Sequence, residues 1–193
     1  MPDTAAERLW TVQEFLDRYP PPGDSRSWEL INGRPTAMAP TSRAHRNIAG
    51  NFKEALNARL VRPCKAEQEA CIRPLRPKKP DGYYAADVAT SCARIGRGTD
   101  TPDPVIVAEV LSTDDALDRG DKLTDYRELP TVMAYLLFDQ KAPRVEVHQR
   151  RSNGAWNDRD YPEIVEGMDA LLILSCHGGL SIPMYEVYGD IFG

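Results

Sequence analysis

Absences narrow the field before any motif is considered. The 193-residue chain has no apolar run long enough to serve as a membrane helix, which needs about 20 residues. Its opening, MPDTAAERLWTVQEF, lacks an apolar h-region, so no secretory signal is read there and the cytoplasm is the expected location. Cysteine is scarce. Cys64, Cys71, Cys92 and Cys176 form no C-x-x-C pair, and none of the three histidines stands at zinc-finger spacing. A zinc site is therefore not expected, and the four cysteines are expected as free thiols acting as small buried hydrophobes. Basic charge is not in excess: 24 Lys and Arg face 29 Asp and Glu, for a net charge of −5. That excludes a broad cationic coat for indiscriminate nucleic-acid binding, yet leaves room for a local basic rim. There is no internal repeat and no low-complexity tract.

What remains has the composition of an ordinary globular protein, and the length suits one domain over residues 1–193. TVQEFLDRY reads as a short helix capped by Thr11, with Glu14 at the capping-box position. WELINGRPTAMAP reads as a hairpin turning at Asn32-Gly33. In SRAHRNIAGNFKEALNARLV, Ile48, Phe52, Leu56 and Leu60 recur at helical spacing, which predicts an amphipathic helix. CKAEQEACIRPL, GYYAADVATS, PVIVAEVL, TVMAYLLFD and RVEVHQRR read as strands, with NGAWNDRDY continuing the meander. DDALDRGDKLTDYREL reads as a helix stopped by Pro130. GGLSIPMYEVYGDIF closes the chain with a turn and a short helix. Strand runs on both sides of a single helix predict an α+β fold, mixed α/β, rather than a regular βαβ array.

One strand poses the chemical question. PVIVAEVL places a carboxylate, Glu109, in a run that reads as buried on both faces. A buried carboxylate is costly unless paired, neutralised or bound to a metal. Asp87 is a second carboxylate inside an apolar strand. In the helix that follows, Asp118, Lys122 and Tyr126 fall at i, i+4 and i+8 on one face. If the loop STDDA is short, Lys122 reaches the neighbourhood of Glu109. Two carboxylates on adjacent strands beside a lysine suit a hard cation such as Mg2+ or Mn2+, which takes few protein ligands and keeps water. A plainer arrangement also fits: Asp118 and Lys122 as a surface ion pair, Asp87 closing its strand, and Glu109 paired with a core arginine. The densest basic segment, RPLRPKKP, reads as a solvated, proline-stiffened loop. His148 reads as a surface residue, His177 as part of a turn, and Tyr126 as a packing residue.

Taken in order, WELINGRPTAMAPTSRAHRNIAGNF, PCKAEQE, GYYAADVATSC, VAEVLS, ALDRGDKLTDYRELP and AYLLFDQKAPRVEVHQR resemble the Uma family of restriction-endonuclease-like proteins. That family is a branch of the PD-(D/E)xK nuclease superfamily. EVLS followed by D-x-x-x-K-x-x-x-Y is the most specific piece. The resemblance implies a restriction-endonuclease-like core, a central mixed sheet flanked by helices. It also implies Mg2+- or Mn2+-dependent hydrolysis of phosphodiester bonds in nucleic acid, with DNA as the expected partner, and a homodimer. On it Asp87, Glu109 and Lys122 are the catalytic residues. Asp87, Glu109 and the Val110 carbonyl are the metal ligands, supported by Glu29, Asp118 and His45, the last of which touches a phosphate or caps the helix. Ala86 departs from the usual proline. Leu111 stands where the superfamily expects lysine, and Lys122 replaces it from the next helix. The alternatives are a catalytically inactive nuclease-fold binding or accessory protein of a mobile element or defence system, and a structural dimer.

Overall fold

The computed structural model describes residues 8–77, 79–94, 96–112, 115–158 and 161–193. Lys78, in the basic segment, and residues 113–114, in the STDDA loop, lie outside them.

The chain opens with α1 (Val12–Leu16), where the Thr11 side chain and Glu14 form the expected capping box. The hairpin of β1 (Trp28–Ile31) and β2 (Arg34–Ala37) turns at Asn32 and Gly33, with φ of 51° and 74°. Positive φ at both central residues is the turn that Asn-Gly favours. Helix α2 (Arg43–Asn57) starts at Ser42, whose side chain accepts from the His45 backbone N–H. Ile48, Phe52 and Leu56 are buried as the spacing requires, while Leu60 lies past the helix end.

Six strands make the central sheet in sequential order: β3 (Lys65–Ile72), β4 (Tyr84–Ser91), β5 (Pro104–Val110), β6 (Ala134–Phe138), β7 (Arg144–Gln149) and β8 (Glu163–Glu166). All neighbours are antiparallel except β5 and β6. That parallel pair needs a crossover, and the segment between the two strands supplies it: a π-helical turn over Asp118–Lys122 running into α3 (Leu123–Glu128). The sheet is mixed, as expected. Three short elements differ from the sequence reading. Among its described residues NGAWNDRDY contributes one isolated bridge, Arg150 with Trp156, and not a strand; residues 159–160 lie outside them. The next strand is β8, after which β9 (Leu171–Leu174) and β10 (Leu180–Pro183) pair as a separate hairpin. Their four-residue runs are too short for periodicity to distinguish. The chain ends in α4 (Met184–Phe192).

Two clusters of buried side chains flank the sheet. Ile48, Phe52 and Leu56 of α2 and Val187 and Tyr188 of α4 pack with Ile106, Ala108, Leu136 and Phe138. Leu123 and Tyr126 of α3 pack with Val107, Tyr135 and Leu137. Strand β6 is buried throughout, so its apolar surface is used within the chain. Apolar residues that do face outward include Ile164, Leu171 and Ile173, on β8 and β9.

Four local expectations are corrected by burial and bonding. Cys64 and Cys92 are joined by a disulfide, leaving Cys71 and Cys176 as thiols. Sequence spacing could not reveal the pairing, because it depends on β3 and β4 lying side by side. The basic loop is not simply solvated: the Arg76 side chain is only 3% exposed and pairs with the fully buried Asp125. His148 is buried on β7, where its ring stacks near Tyr135. Lys122 is 4% exposed, which rules out a surface ion pair with Asp118.

Candidate metal and nuclease site

The site lies where β4 and β5 part. Their paired register runs from Ser91 and Pro104 to Val88 and Ala108. One step further along, acidic side chains take up the backbone donors. The Asp87 N–H donates to Glu109 Oε2 at 3.1 Å, and the Val110 N–H donates to Asp87 Oδ2 at 2.7 Å. The Ala85 N–H donates to Glu29 Oε1 at 2.9 Å, where β1 runs beside β4 through the Leu30–Tyr83 bridge. Buried backbone donors must find partners. Here the partners are carboxylates, held in place by the same bonds.

The crossover helix brings the cation. Lys122 Nζ lies 3.1 Å from Glu109 Oε1, 3.1 Å from Glu29 Oε1 and 3.5 Å from Asp118 Oδ1. Of these contacts the one to Glu109 is a hydrogen bond, and the other two are ion pairs. Glu29 and Glu109 are the closer partners, and Asp118 is the more distant one. Tyr126 donates its hydroxyl to Glu109 Oε1 at 3.3 Å. Asp118, Lys122 and Tyr126 thus share a face, as the spacing predicted, although a π-helical turn carries the first two. Such turns are rare and recur at functional sites. His45 approaches from α2, its Nε2 3.1 Å from Asp87 Oδ2. Ser42, rather than the His45 side chain, caps the helix.

Glu29, His45, Asp87, Glu109, Val110, Asp118 and Lys122 all line one cavity of about 540 Å3. The seven residues assigned to the site from the sequence are therefore in one place. The site's charge is unbalanced, with four carboxylates against one ammonium. Burial, followed by the neighbouring Asp87 and Glu29, drives the Glu109 and Asp118 carboxyls above their ordinary range, and Lys122 only partly offsets this. Lys122 itself is held well above its usual value: burial opposes its charge, but Glu109, Glu29 and Asp118 prevail. The donor set fits a hard divalent cation. Among the described residues no three carboxylate, histidine or cysteine donors here lie within 4.8 Å of one another. Carboxylate oxygens with water completing the shell are the ligands Mg2+ takes.

Sequence reading missed the frame around the site. Gln140, just past β6, donates to the Leu111 carbonyl at 2.6 Å and accepts from the Ser42 hydroxyl at 2.5 Å. Pairing β5 with β6 in parallel would have revealed it, because parallel neighbours end together. Asn32 does more than turn the hairpin: it donates to Asp121 Oδ2 at 2.8 Å and accepts from Arg76. Tyr84 donates to Asp125 Oδ2 at 2.7 Å. These buried polar groups tie the hairpin, the basic loop and α3 together beside the cavity.

A mixed sheet whose central strands part to place Asp87 and Glu109 in one cavity with a buried lysine is the frame of the restriction-endonuclease-like fold. Residues 12–184 match the model of the Uma2 family, described as "Putative restriction endonuclease", and the chain belongs to that family. It is 28% identical over 160 residues to the uncharacterized protein sll1609 of Synechocystis sp., covering 79% of this chain and 87% of that one. Among solved structures it resembles that of "a putative nuclease belonging to DUF820" from Anabaena variabilis. The TM-score is 0.66 at 18% identity, over 93% of this chain and 97% of the other. That likeness establishes the fold. No helix among the described residues is long and apolar enough to cross a membrane.

Proposed function

We propose that this chain is a Mg2+- or Mn2+-dependent endonuclease that hydrolyses phosphodiester bonds in DNA, and that residues 1–193 act as one domain. The observation that carries the reading is the convergence of Asp87, Glu109 and the buried Lys122 on one cavity with uncompensated negative charge. Asp87 and Glu109, with the Val110 carbonyl, would hold the ion. When bound, such an ion withdraws charge from a phosphoryl oxygen and acidifies water. The chain's own groups do the rest. His45 fixes the Asp87 carboxylate, and Glu29 and Asp118 hold Lys122 in place. Lys122 offers its positive charge to the phosphate as water oxygen bonds to phosphorus and the bond to the leaving sugar oxygen breaks. Arg43 and Arg46, exposed at the start of α2 on either side of His45, supply backbone-phosphate contacts without requiring a basic protein overall. Outward-facing Ile164, Leu171 and Ile173 are the surface we assign to pairing of two copies.

A second reading has its own support. Both Glu109 oxygens accept hydrogen bonds within the chain, and Lys122 is ion-paired with Glu29, Glu109 and Asp118. A closed network of this kind suits a nuclease fold that binds nucleic acid without cutting it. Cleavage separates the two. Supercoiled, linear and single-stranded DNA and a structured RNA are incubated with Mn2+ and the wild type, Glu109→Ala or Lys122→Ala. Cutting of DNA by the wild type alone supports the first reading. Retarded but intact DNA supports the second.

A further inference from the structure

We propose that Cys64, Cys92 and His177 form a second metal site, for a thiophilic divalent cation such as Zn2+, which is open when the Cys64–Cys92 disulfide is reduced. The proposal is independent of the nuclease reading. Three distant segments build the cluster. Lys65 pairs with Ser91 at the start of β3 and the end of β4, so the next residues outward, Cys64 and Cys92, stand opposite one another with Cα atoms 3.8 Å apart. His177 comes from the turn between β9 and β10. One donor atom from each of the three residues lies within 4.8 Å of the others.

The histidine is placed as a ligand would be. Its Nδ1 lies 3.8 Å from Cys92 Sγ, and its Nε2 lies 3.3 Å from Thr90 Oγ1. A metal-bound imidazole characteristically gives its other ring N–H to an oxygen that fixes its orientation. Thr90 is fully buried and itself held, accepting from the Ile106 N–H at 3.0 Å. Zinc with sulfur at about 2.3 Å and nitrogen at about 2.0 Å has a tetrahedral S···N edge of about 3.6 Å, close to the observed separation. The backbone supplies a further sign. His177 has φ of 53°, followed by two glycines at 79° and 95°. A non-glycine residue in this conformation is uncommon. Here it turns the ring toward the sulfurs rather than out to water.

The two states exclude each other. A dithiol reductant gives the disulfide two electrons and two protons and is itself oxidised to a disulfide. Cation binding then releases both thiol protons, leaving two thiolates, one imidazole and a position for water. In either state the start of β3 stays tied to the end of β4. The metal adds a coordinate bond to the β9–β10 turn, which the His177 contact with Thr90 already holds near β4.

The test uses the full chain, reduced with a phosphine under anaerobic conditions and titrated with Co2+. Thiolate-to-cobalt charge transfer reports sulfur ligation, which the all-oxygen donors at Asp87 and Glu109 cannot produce. The expected result is saturation at one equivalent in the reduced wild type and in Glu109→Gln. No such band is expected in Cys92→Ser or in the oxidised chain. Loss of a group that only orients a ligand costs about tenfold in affinity or more, so His177→Ala is expected to lose at least that. Zn2+ should displace the Co2+ and raise the melting temperature of the reduced chain. An identical band in Cys92→Ser would place the metal on Cys71 or Cys176 and overturn the proposal. So would wild-type affinity in His177→Ala, or no band in the reduced wild type, whose comparison with the oxidised chain needs no variant to fold.

Discussion

Glu109 sits 3% exposed between the Lys122 ammonium, the Tyr126 hydroxyl and the Asp87 backbone N–H, which offset part of the cost of its burial. Removing the ammonium leaves Glu29, Glu109 and Asp118 crowded without their counter-charge. We expect Lys122→Ala to lose about 3 kcal/mol of stability in urea denaturation without divalent ions, and to lose cleavage. Mn2+ should restore part of that stability, since the carboxylates remain. Lys122→Arg should also fail to cleave, because a planar fork does not replace a compact ammonium among three oxygens. Glu146 makes a different prediction. Burial raises its carboxyl, but hydrogen bonds from Arg119 and Arg144 outweigh this and hold it below the ordinary 4.5. A lowered carboxyl contributes stability that is present above its unfolded value and lost as pH falls through its folded one. Glu146→Gln should therefore cost about 2 kcal/mol at pH 7, with the gap from wild type closing below about pH 4. Thermal unfolding across pH 3 to 7 checks it, and a gap independent of pH would contradict it. Asp87 and Glu109 were legible in the sequence because a charge in an apolar strand is conspicuous, and Lys122 because it shares a helical face with Asp118 and Tyr126. Asp125 and Glu146 were not, because their partners Arg76 and Arg119 come from segments that only the fold brings near.

At the scale of elements, the site depends on β4 and β5 parting while the β1–β2 hairpin closes over the gap. The Asn32-Gly33 turn fixes that hairpin. A Cβ at Gly33 would lie 3.1 Å from Leu9 Cβ and 3.3 Å from Pro80 Cβ, at a φ of 74°. Gly33→Ala should cost about 1 to 2 kcal/mol, and it should disturb the contact of Glu29 with Lys122 more than it disturbs the six-stranded sheet. Amide exchange that rises in the hairpin and stays slow in β4 to β7 would bear this out, whereas uniform loss of protection would count against it. The long elements were legible because their patterns are strong: the capping box of α1, the apolar face of α2 and the continuous apolar runs of β5 and β6. Strands β8, β9 and β10 are four residues each, too short for a local pattern to distinguish them. The helix after β5 was placed correctly, yet its π-helical turn was invisible, since spacing alone cannot tell a widened turn from an α-helical one.

At the scale of the whole molecule, an acidic chain presents a concentrated negative site inside a fold shared with nucleases. Overall charge argued against broad nucleic-acid binding. The proposed nucleic-acid contacts rest instead on local placement, with the exposed Arg43 and Arg46 either side of His45 at the start of α2. The disulfide and His177 lie on other segments, so the two proposed metal sites can be measured apart. The central claim is that Asp87 and Glu109 together hold a divalent cation. It is tested most directly by calorimetric titration of Mn2+ into the oxidised chain, whose thiol site is closed, beside Asp87→Asn and Glu109→Gln. The expected result is one binding event in the wild type that both substitutions abolish, though each nearly preserves shape. The same isotherm in all three proteins would contradict the claim.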